Sequence, residues 1–469
     1  SLSDLFLFVS RSPESGDLRF GSELCDEELE FLAKRKQVVF EAMKDLLGDR
    51  APTNINEVPT IALLGSGGGF RAMTSLSGVL CALKDTNILD CVTYFAGLSG
   101  SAWYISSLYS HPEWPSVHPR VVLEELRENL KENMMWQLVK PKWVYKHMQL
   151  INKKKKNGQP VSFTDVFGYL VGETIAKGRE PPKLSSQKVK LVDAVVPLPL
   201  YTCVNVKKDV SAHAFCGIWG SAFTILLQQV ARDGLQEPVE VVNVVENKGE
   251  VRKQMEDMVA SDEIDKYNKT SDDSDEDSNC DQKNVQNGEE KEDAAPNNDE
   301  EGKTDADKFV DIADKVINKF EVFRTRQGRA GLVHNFLRGL DISAADQVDN
   351  VDYRELVTET KRIFLVDSGL VLNSPYPILL RPQRGVDLYL SFDFSARDKD
   401  DEQPFKELLL AEEWARKNNY PFPPINASEQ LEQSGLKECY VFRHPTDPTC
   451  PVIVHFVLIN KMFMEYTKP

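Results

Sequence analysis

Short apolar runs alternate with helix-period segments early in the chain, and glycine or serine turns separate them. "VPTIALLGSGGGF" predicts a buried strand over Thr60 to Leu64 that runs into a glycine turn. In "RAMTSLSGVLCALKD", Met73, Leu76, Val79, Leu80 and Leu83 recur at helical spacing and define one apolar face. "ILDCVTYFAG" predicts a second buried strand, and "SAWYISSLYS" a second helix. Strand, glycine loop, helix, strand, serine turn, helix is the pattern of an α/β fold with a mainly parallel sheet and crossover helices. Far downstream, "RIFLVDSG" and "VDLYLSFDFSAR" read as two more buried strands, expected to resume the same sheet. No apolar run approaches the roughly 18 residues of a membrane span. The opening "SLSDLFLFVS" lacks the basic region of a signal peptide.

Composition changes this picture at one place. The chain has 469 residues, enough for a large core and more than one lobe. Its formal charge is −17, but Ser271 to Asp307 holds 15 acidic and only 3 basic residues, so the rest is nearly neutral. Overall acidity therefore says little about partners. The segment from about Asn268 to Asp307 has no aromatic and almost nothing apolar, and reads as a disordered, solvated insert. Eight cysteines without a C-x-x-C pair suit free, buried thiols in a reducing compartment. The chain starts at Ser1 and stops after "FMEYTKP", which reads as a fragment.

The glycine turn is the first candidate for chemistry. In "LGSGGGFRA" several backbone N–H groups can converge between a strand and a helix N-terminus, where positive partial charge suits a phosphate or an oxyanion. Phe70 occupies the third glycine of G-x-G-x-x-G and no G-K-[ST] follows, which favours the oxyanion over a nucleotide. Arg71 could add a bidentate phosphate clamp; the alternative is a plain tight turn with a surface arginine. The second candidate is Ser99 in "GLSGS", a nucleophile-elbow pattern with Ser101 at the last glycine position. One βα unit separates it from Gly69, so both loops should open on the same carboxyl edge of the sheet.

Seven histidines could activate such a serine, but only His444 and His455 follow it in the order Ser, acid, His. Both stand in contexts typical of surface or core residues rather than catalytic loops. Asp367 in "FLVDSGL", at the end of a buried strand, is the better partner; its bland alternative is a helix N-cap.

"LGSGGGFRAM", "AGLSGSAW", "GQPVSFTDVFG", "GRAGLVHNF", "VDSGLVLNSPYP" and "RPQRGVDLYLSFDFSAR" together resemble the cytosolic (group IV) phospholipase A2 catalytic domain, most like the alpha type. The resemblance runs from about Asp17 to the last residue. It implies a patatin-like three-layer fold with a cap or lid region at about 226–360, including a lid near Leu226 to Val245. It also implies hydrolysis of the sn-2 ester of glycerophospholipids, or of lysophospholipids, by a Ser–Asp dyad with no histidine. Ser99 would be the acyl nucleophile, Asp367 its base, Gly68 and Gly69 the oxyanion donors, and Arg71 the holder of the lipid phosphate. Lys361 and Arg362 resemble part of the family's anionic-lipid patch, although Glu359 stands where a further base is expected.

The sequence also departs from that family. No calcium-binding C2 domain is recognised, so no cofactor is expected for the reaction and no metal ligands are assigned; calcium would enter only with a C2 domain. Several tens of residues, rich in aromatics and glycine, are missing between "YTCVNVKKDVSAHAF" and "CGIWGSAFTILL", and the chain stops before the family's final helical segment. Two other readings therefore stand beside the dyad: a Ser-His-Asp esterase using His444 or His455, and a catalytically dead lipid-binding homologue. "VKPKWVYKHMQLINKKKK" interleaves Trp143, Tyr145 and Met148 with Lys140, Lys142, Lys146 and Lys153 to Lys156, which suits an anionic lipid surface or an ordinary solvated helix. Expected partners are a phospholipid membrane surface and phospholipid substrates, with no nucleic acid. The expected location is cytoplasmic, peripheral to intracellular membranes.

Overall fold

The computed structural model describes residues 23–131, 140–177, 184–205, 213–215, 331–335, 338, 360–395, 403–458 and 460. The acidic insert, the expected lid near 226–245 and nearly all of the expected 226–360 cap lie outside the described residues.

The first glycine-punctuated run forms β1 (Ile61–Gly65), and the segment after it forms helix α2 (Gly69–Asp85) behind the N-terminal helix α1 (Asp26–Leu47). The second run is shorter than its apolar length suggests. Leu89–Cys91 takes a 3-10 turn, and only Tyr94–Gly97 pairs as a strand, β2, before α3 (Ser99–Tyr109). Every residue of β1 and β2 is buried, so both faces of these strands are covered, as expected of parallel strands between helical layers. On α2 the buried set is Ala72, Met73, Leu76, Ser77, Leu80 and Cys81; Val79 and Leu83 of the predicted face are partly buried against the core.

Further along come α4 (Pro119–Asn129), α5 (Pro141–Lys156), α6 (Phe163–Ala176), β3 (Leu198–Tyr201), β4 (Cys203–Asn205), β5 (His213–Phe215) and β6 (Gly331–His334). They are followed by β7 (Arg362–Val366), the short helix α7 (Tyr376–Leu379), β8 (Leu388–Asp393), α8 (Lys406–Lys417), α9 (Ala427–Ser434), β9 (Cys439–Phe442) and β10 (Val452–Val457). The central sheet has the order β3-β2-β1-β8-β10-β9. Every neighbouring pair is parallel except β10 with β9. The chain winds outward from β1 through β2 to β3, then returns to the other side of β1 with β8. That reversal makes the carboxyl edge around β1 a switch point, where open α/β sheets hold ligands.

One expectation is corrected. "RIFLV" is a strand, but β7 does not join the central sheet. It lies in a separate antiparallel sheet of order β5-β4-β7-β6. The apolar run specified burial, whereas the partner is set by chain path: β3 continues through Thr202 into β4, and β7 pairs with β4 there.

Two buried features stabilise the frame. Arg35 is fully buried and donates to the carbonyls of Val92, Ala194, Leu89 and Asp90. Burial lowers its pKa to about 10, so it stays charged at neutral pH. Cys25, Cys81, Cys91 and Cys203 are buried and form no disulfide, and burial pushes Cys91 up to about 11, which makes it a poor nucleophile.

Candidate active site

Three loops meet at the carboxyl edge of the central sheet. The first, after β1, is pinned at its start. The Ser66 N–H donates to the Phe392 carbonyl at 3.0 Å, the Gly67 N–H donates to the Asn373 carbonyl at 3.1 Å, and Ser66 Oγ accepts from the Phe394 N–H at 2.7 Å. The next two residues open α2. Gly68 has φ 149° and Gly69 φ 57°, conformations that L side chains rarely adopt, and an ideal Cβ on Gly68 would sit 3.0 Å from the Phe394 carbonyl oxygen. N–H groups in a first helical turn lack intrahelical acceptors, so the Gly68 and Gly69 amides suit an anion.

The second loop is the serine turn. Ser99, the first residue of α3, is held at φ 49°, a left-handed conformation that costs on the order of 1 kcal/mol or more for a residue with a side chain. Glycine and serine flank it because the turn is crowded. An ideal Cβ on Gly97 would meet the Ala102 nitrogen at 3.2 Å, and one on Gly100 would lie 1.8 Å from the Gly69 carbonyl oxygen. The serine turn therefore rests directly on the glycine loop. Ser101 Oγ donates to the Ser66 carbonyl and ties the two loops a second time.

Asp367 lies on the third loop. β7 pairs antiparallel with β4, with Val366 opposite Val204, and Thr202 Oγ1 lies 2.9 Å from Ser368 Oγ. This pairing brings the end of β7 to the carboxyl end of β3. Asp367 is 2% exposed, and its Oδ1 accepts from the Gly369 N–H at 2.9 Å, so it does cap a 3-10 turn (Ser368–Leu370). An ideal Cβ on Gly369 would lie 3.2 Å from Asp367 Oδ1, 2.8 Å from Asn373 Oδ1 and 3.6 Å from Leu98 Cδ1. The same Leu98 atom is 2.8 Å from the ideal Cβ of Gly67. Leu98 precedes Ser99, so the aspartate turn, the serine turn and the glycine loop share one packed contact.

Arg71 Nε donates to the Phe394 carbonyl at 2.9 Å, and Nη2 lies 3.2 Å from the ideal Cβ of Gly68. The guanidinium is thus held beside the glycine loop. The sequence reading missed Asn373 and Glu407, which brace this region from behind: the Asn373 N–H donates to Glu407 Oε2 at 2.8 Å, and both residues are buried. A polar pair inside "GLVLNSPYP" and "FKELLL" carries no spacing signal; only its burial in the fold exposes it.

The histidines lie elsewhere. His455 is 2% exposed on β10, with Nδ1 3.0 Å from Ser391 Oγ, and stands three strands from β2, roughly 14 Å at the usual spacing. His444 follows β9, which runs toward the amino edge of the parallel strands, and accepts from the Thr446 and Asp447 N–H groups.

The basic residues gather at a distance. Lys361 precedes β7 and Arg362 starts it, so about five residues of strand, roughly 16 Å, separate Arg362 from Asp367. Arg362 pairs in register with His334, and His334 Nε2 lies 3.0 Å from the Gly158 carbonyl oxygen just past α5. Arg362 and the Lys153–Lys156 tail of α5 are therefore neighbours. Trp143 departs from the expectation for this helix: it is buried and stacked on His147 at 4.1 Å. Tyr145, Met148 and Val144 are the exposed apolar residues. Among the described residues no helix is long and apolar enough to cross a membrane.

Comparison with known proteins gives the following. The family model described as "Lysophospholipase catalytic domain" matches residues 61–219 and 210–469. The two matches overlap at residues 210–219. Human cytosolic phospholipase A2 epsilon is 30% identical over 99% of this chain. The chain spans 55% of the length of that relative. The structure of human GIVD cytosolic phospholipase A2 matches 97% of this chain and 61% of its own, with a TM-score of 0.70 and 24% identity. The same enzyme solved with methyl gamma-linolenyl fluorophosphonate matches 96% of this chain and 56% of its own, with a TM-score of 0.60 and 26% identity.

Proposed function

Since the chain belongs to the lysophospholipase catalytic-domain family and shares the fold of the group IV cytosolic phospholipases A2, we propose that it hydrolyses the sn-2 acyl ester of glycerophospholipids, or the ester of lysophospholipids, through Ser99 and Asp367. One observation carries this reading: Ser99 is held in a left-handed conformation on a turn whose Gly100 touches Gly69 of the anion-binding loop. A nucleophile and oxyanion donors are thereby built into one rigid contact.

The reaction runs in two halves. Ser99 Oγ attacks the ester carbonyl carbon while its proton passes to the Asp367 carboxylate. The Gly68 and Gly69 N–H groups stabilise the resulting oxyanion. Collapse breaks the C–O bond, and the departing glycerol oxygen takes the proton from Asp367. Water then attacks the acyl-enzyme, gives its proton to Asp367, and releases the fatty acid as Ser99 recovers the proton. The separation of His444 and His455 from the serine turn supports the dyad over a histidine triad. Exchanging both histidines for glutamine should leave the pH–rate profile and kcat largely intact; collapse of activity would favour the triad.

Arg71 would hold the substrate phosphate, a role supported by its guanidinium lying beside the glycine loop. Arg71→Ala is expected to lower kcat/KM for a phospholipid by at least tenfold more than for an uncharged ester of the same acyl chain, since a charge-assisted bond is lost only in the first case. Equal losses on both substrates would remove this role.

Interfacial docking follows from the basic surface shared by α5 and the start of β7. Lys142, Lys153, Lys155, Lys156 and Arg362 are exposed there, beside exposed Tyr145 and Met148. Lys146 and Lys154 are paired with Glu173 and Asp165 and contribute less. Exchanging Lys153, Lys155 and Lys156 for glutamine should weaken sedimentation with anionic vesicles roughly a hundredfold at low salt, at about 1 kcal/mol per charge. Unchanged sedimentation would place the docking surface elsewhere.

A further inference from the structure

Asn373 is buried at 5% exposure, and its carbonyl, its N–H and its side-chain nitrogen all bond in the region behind the catalytic loops. Its carbonyl accepts from the Gly67 N–H at 3.1 Å. Its Nδ2 donates to the Gly67 carbonyl at 3.3 Å and to Ser395 Oγ at 2.8 Å, so both amide hydrogens are used. Since the Gly67 carbonyl can only accept, the amide orientation is set. Its own N–H donates to the buried Glu407 carboxylate at 2.8 Å. Its Oδ1 lies 2.2 Å from the ideal Cβ of Gly67 and 2.8 Å from that of Gly369.

The consequence concerns the next peptide plane. In a trans peptide the C=O of Gly67 and the N–H of Gly68 point in opposite directions. Drawing the Gly67 carbonyl toward Asn373 therefore turns the Gly68 N–H away from Asn373. Resting on the ester hydrolysis proposed above, we infer that Asn373 is the positioning residue that aims the Gly68 N–H at the oxyanion and keeps the glycine loop in register with the Asp367 turn. Glu407 fixes Asn373 in turn. The Gly67 carbonyl also accepts from Ser66 Oγ at 3.3 Å, but Ser66 belongs to the same loop, whereas Asn373 ties that carbonyl to the segment that follows the Asp367 turn.

The expected kinetic signature is selective. Asn373→Ala and Asn373→Asp should lower kcat by ten- to a hundredfold with KM within about twofold, since the interaction lost is one made only in the transition state. Asn373→Asp keeps the shape and the acceptor at Oδ1 but removes both amide donors, so it should not rescue the alanine variant. Ser395→Ala removes the outer partner of the same amide at a half-buried position, and should cost a few-fold in kcat with little change in melting temperature. The test measures kcat, KM, melting temperature and the second-order rate of fluorophosphonate labelling for wild type and the three variants. Labelling of wild-type Ser99 with slower labelling in the variants, at unchanged KM, supports the assignment. Wild-type labelling rates and kcat in Asn373→Asp, or a full rescue by aspartate of a defective alanine variant, would overturn it while leaving the ester-hydrolase reading intact. If the alanine and aspartate variants fail to fold, a wild-type kcat in Ser395→Ala overturns it. Failure of wild-type Ser99 to label would instead overturn the reading on which it rests.

Discussion

Replacing Ser99 or Asp367 by alanine is expected to abolish hydrolysis of phosphatidylcholine vesicles while leaving the melting temperature within a few degrees of wild type. Loss of either the serine nucleophile or its general base costs on the order of 10⁶ in kcat in a comparable acyl-transfer device. The two effects should not add, because each residue is useless without the other. Ser99→Ala should be close to folding-neutral, since alanine keeps the same left-handed backbone conformation at φ 49°. Asp367→Ala should cost more stability, because it removes the carboxylate that accepts from the Gly369 N–H and leaves a half-buried donor without that partner. Appreciable vesicle hydrolysis by either variant, measured as fatty acid released, would dismantle the dyad.

Gly100→Ala should be nearly as damaging without touching a catalytic atom. The added methyl would fall 1.8 Å from the Gly69 carbonyl oxygen, and 2.5 Å from its carbon, so the elbow and the anion loop would have to separate. Neither side can yield by rotating a side chain, because the clash is with backbone. A displacement near 1 Å between nucleophile and oxyanion donors can cost roughly a hundredfold in rate, so kcat/KM should fall by at least that factor. Overpacking of this kind should also cost about 1–3 kcal/mol of stability. Gly78→Ala is the control, since it lies within α2 with nothing within 4 Å of an added Cβ. It should retain activity and gain up to about 1 kcal/mol from helix propensity. Equal behaviour of the two variants in steady-state assays and urea melts would show that the close contact carries no functional weight.

Much of this site was legible before the fold, and the reasons are local. The glycine loop and the serine turn each lie within a single βα junction, where strand, turn and helix signals follow one another within a dozen residues. Their juxtaposition followed from the rule that consecutive parallel strands open on one edge, and the Gly69–Gly100 contact bears it out. Asp367 was found as an acid ending a buried strand, but that strand's sheet was not. A five-residue apolar run reports burial on both faces and nothing about its neighbours, and pairing with β4 depends on a chain path through Thr202. Trp143 shows the same limit on a smaller scale. Interleaved lysines and aromatics suggested a lipid-facing surface, yet helix rotation turns Trp143 inward with His147 and leaves Tyr145 outside. Asn373 was invisible for a different reason. Its role depends on reaching Gly67, three hundred positions away in the chain, and an isolated asparagine has no spacing pattern to reveal that.

The central claim is that Ser99 is a nucleophile activated by Asp367 and not by histidine. A fluorophosphonate probe followed by peptide mass spectrometry tests it most directly, applied to wild type, Asp367→Ala and the His444→Gln/His455→Gln double variant. The account predicts one adduct on Ser99 in wild type, the same adduct at a similar rate in the histidine double variant, and labelling slowed by several orders of magnitude in Asp367→Ala. An adduct on another residue, or labelling of Ser99 that survives loss of Asp367 but disappears with the histidines, would contradict it.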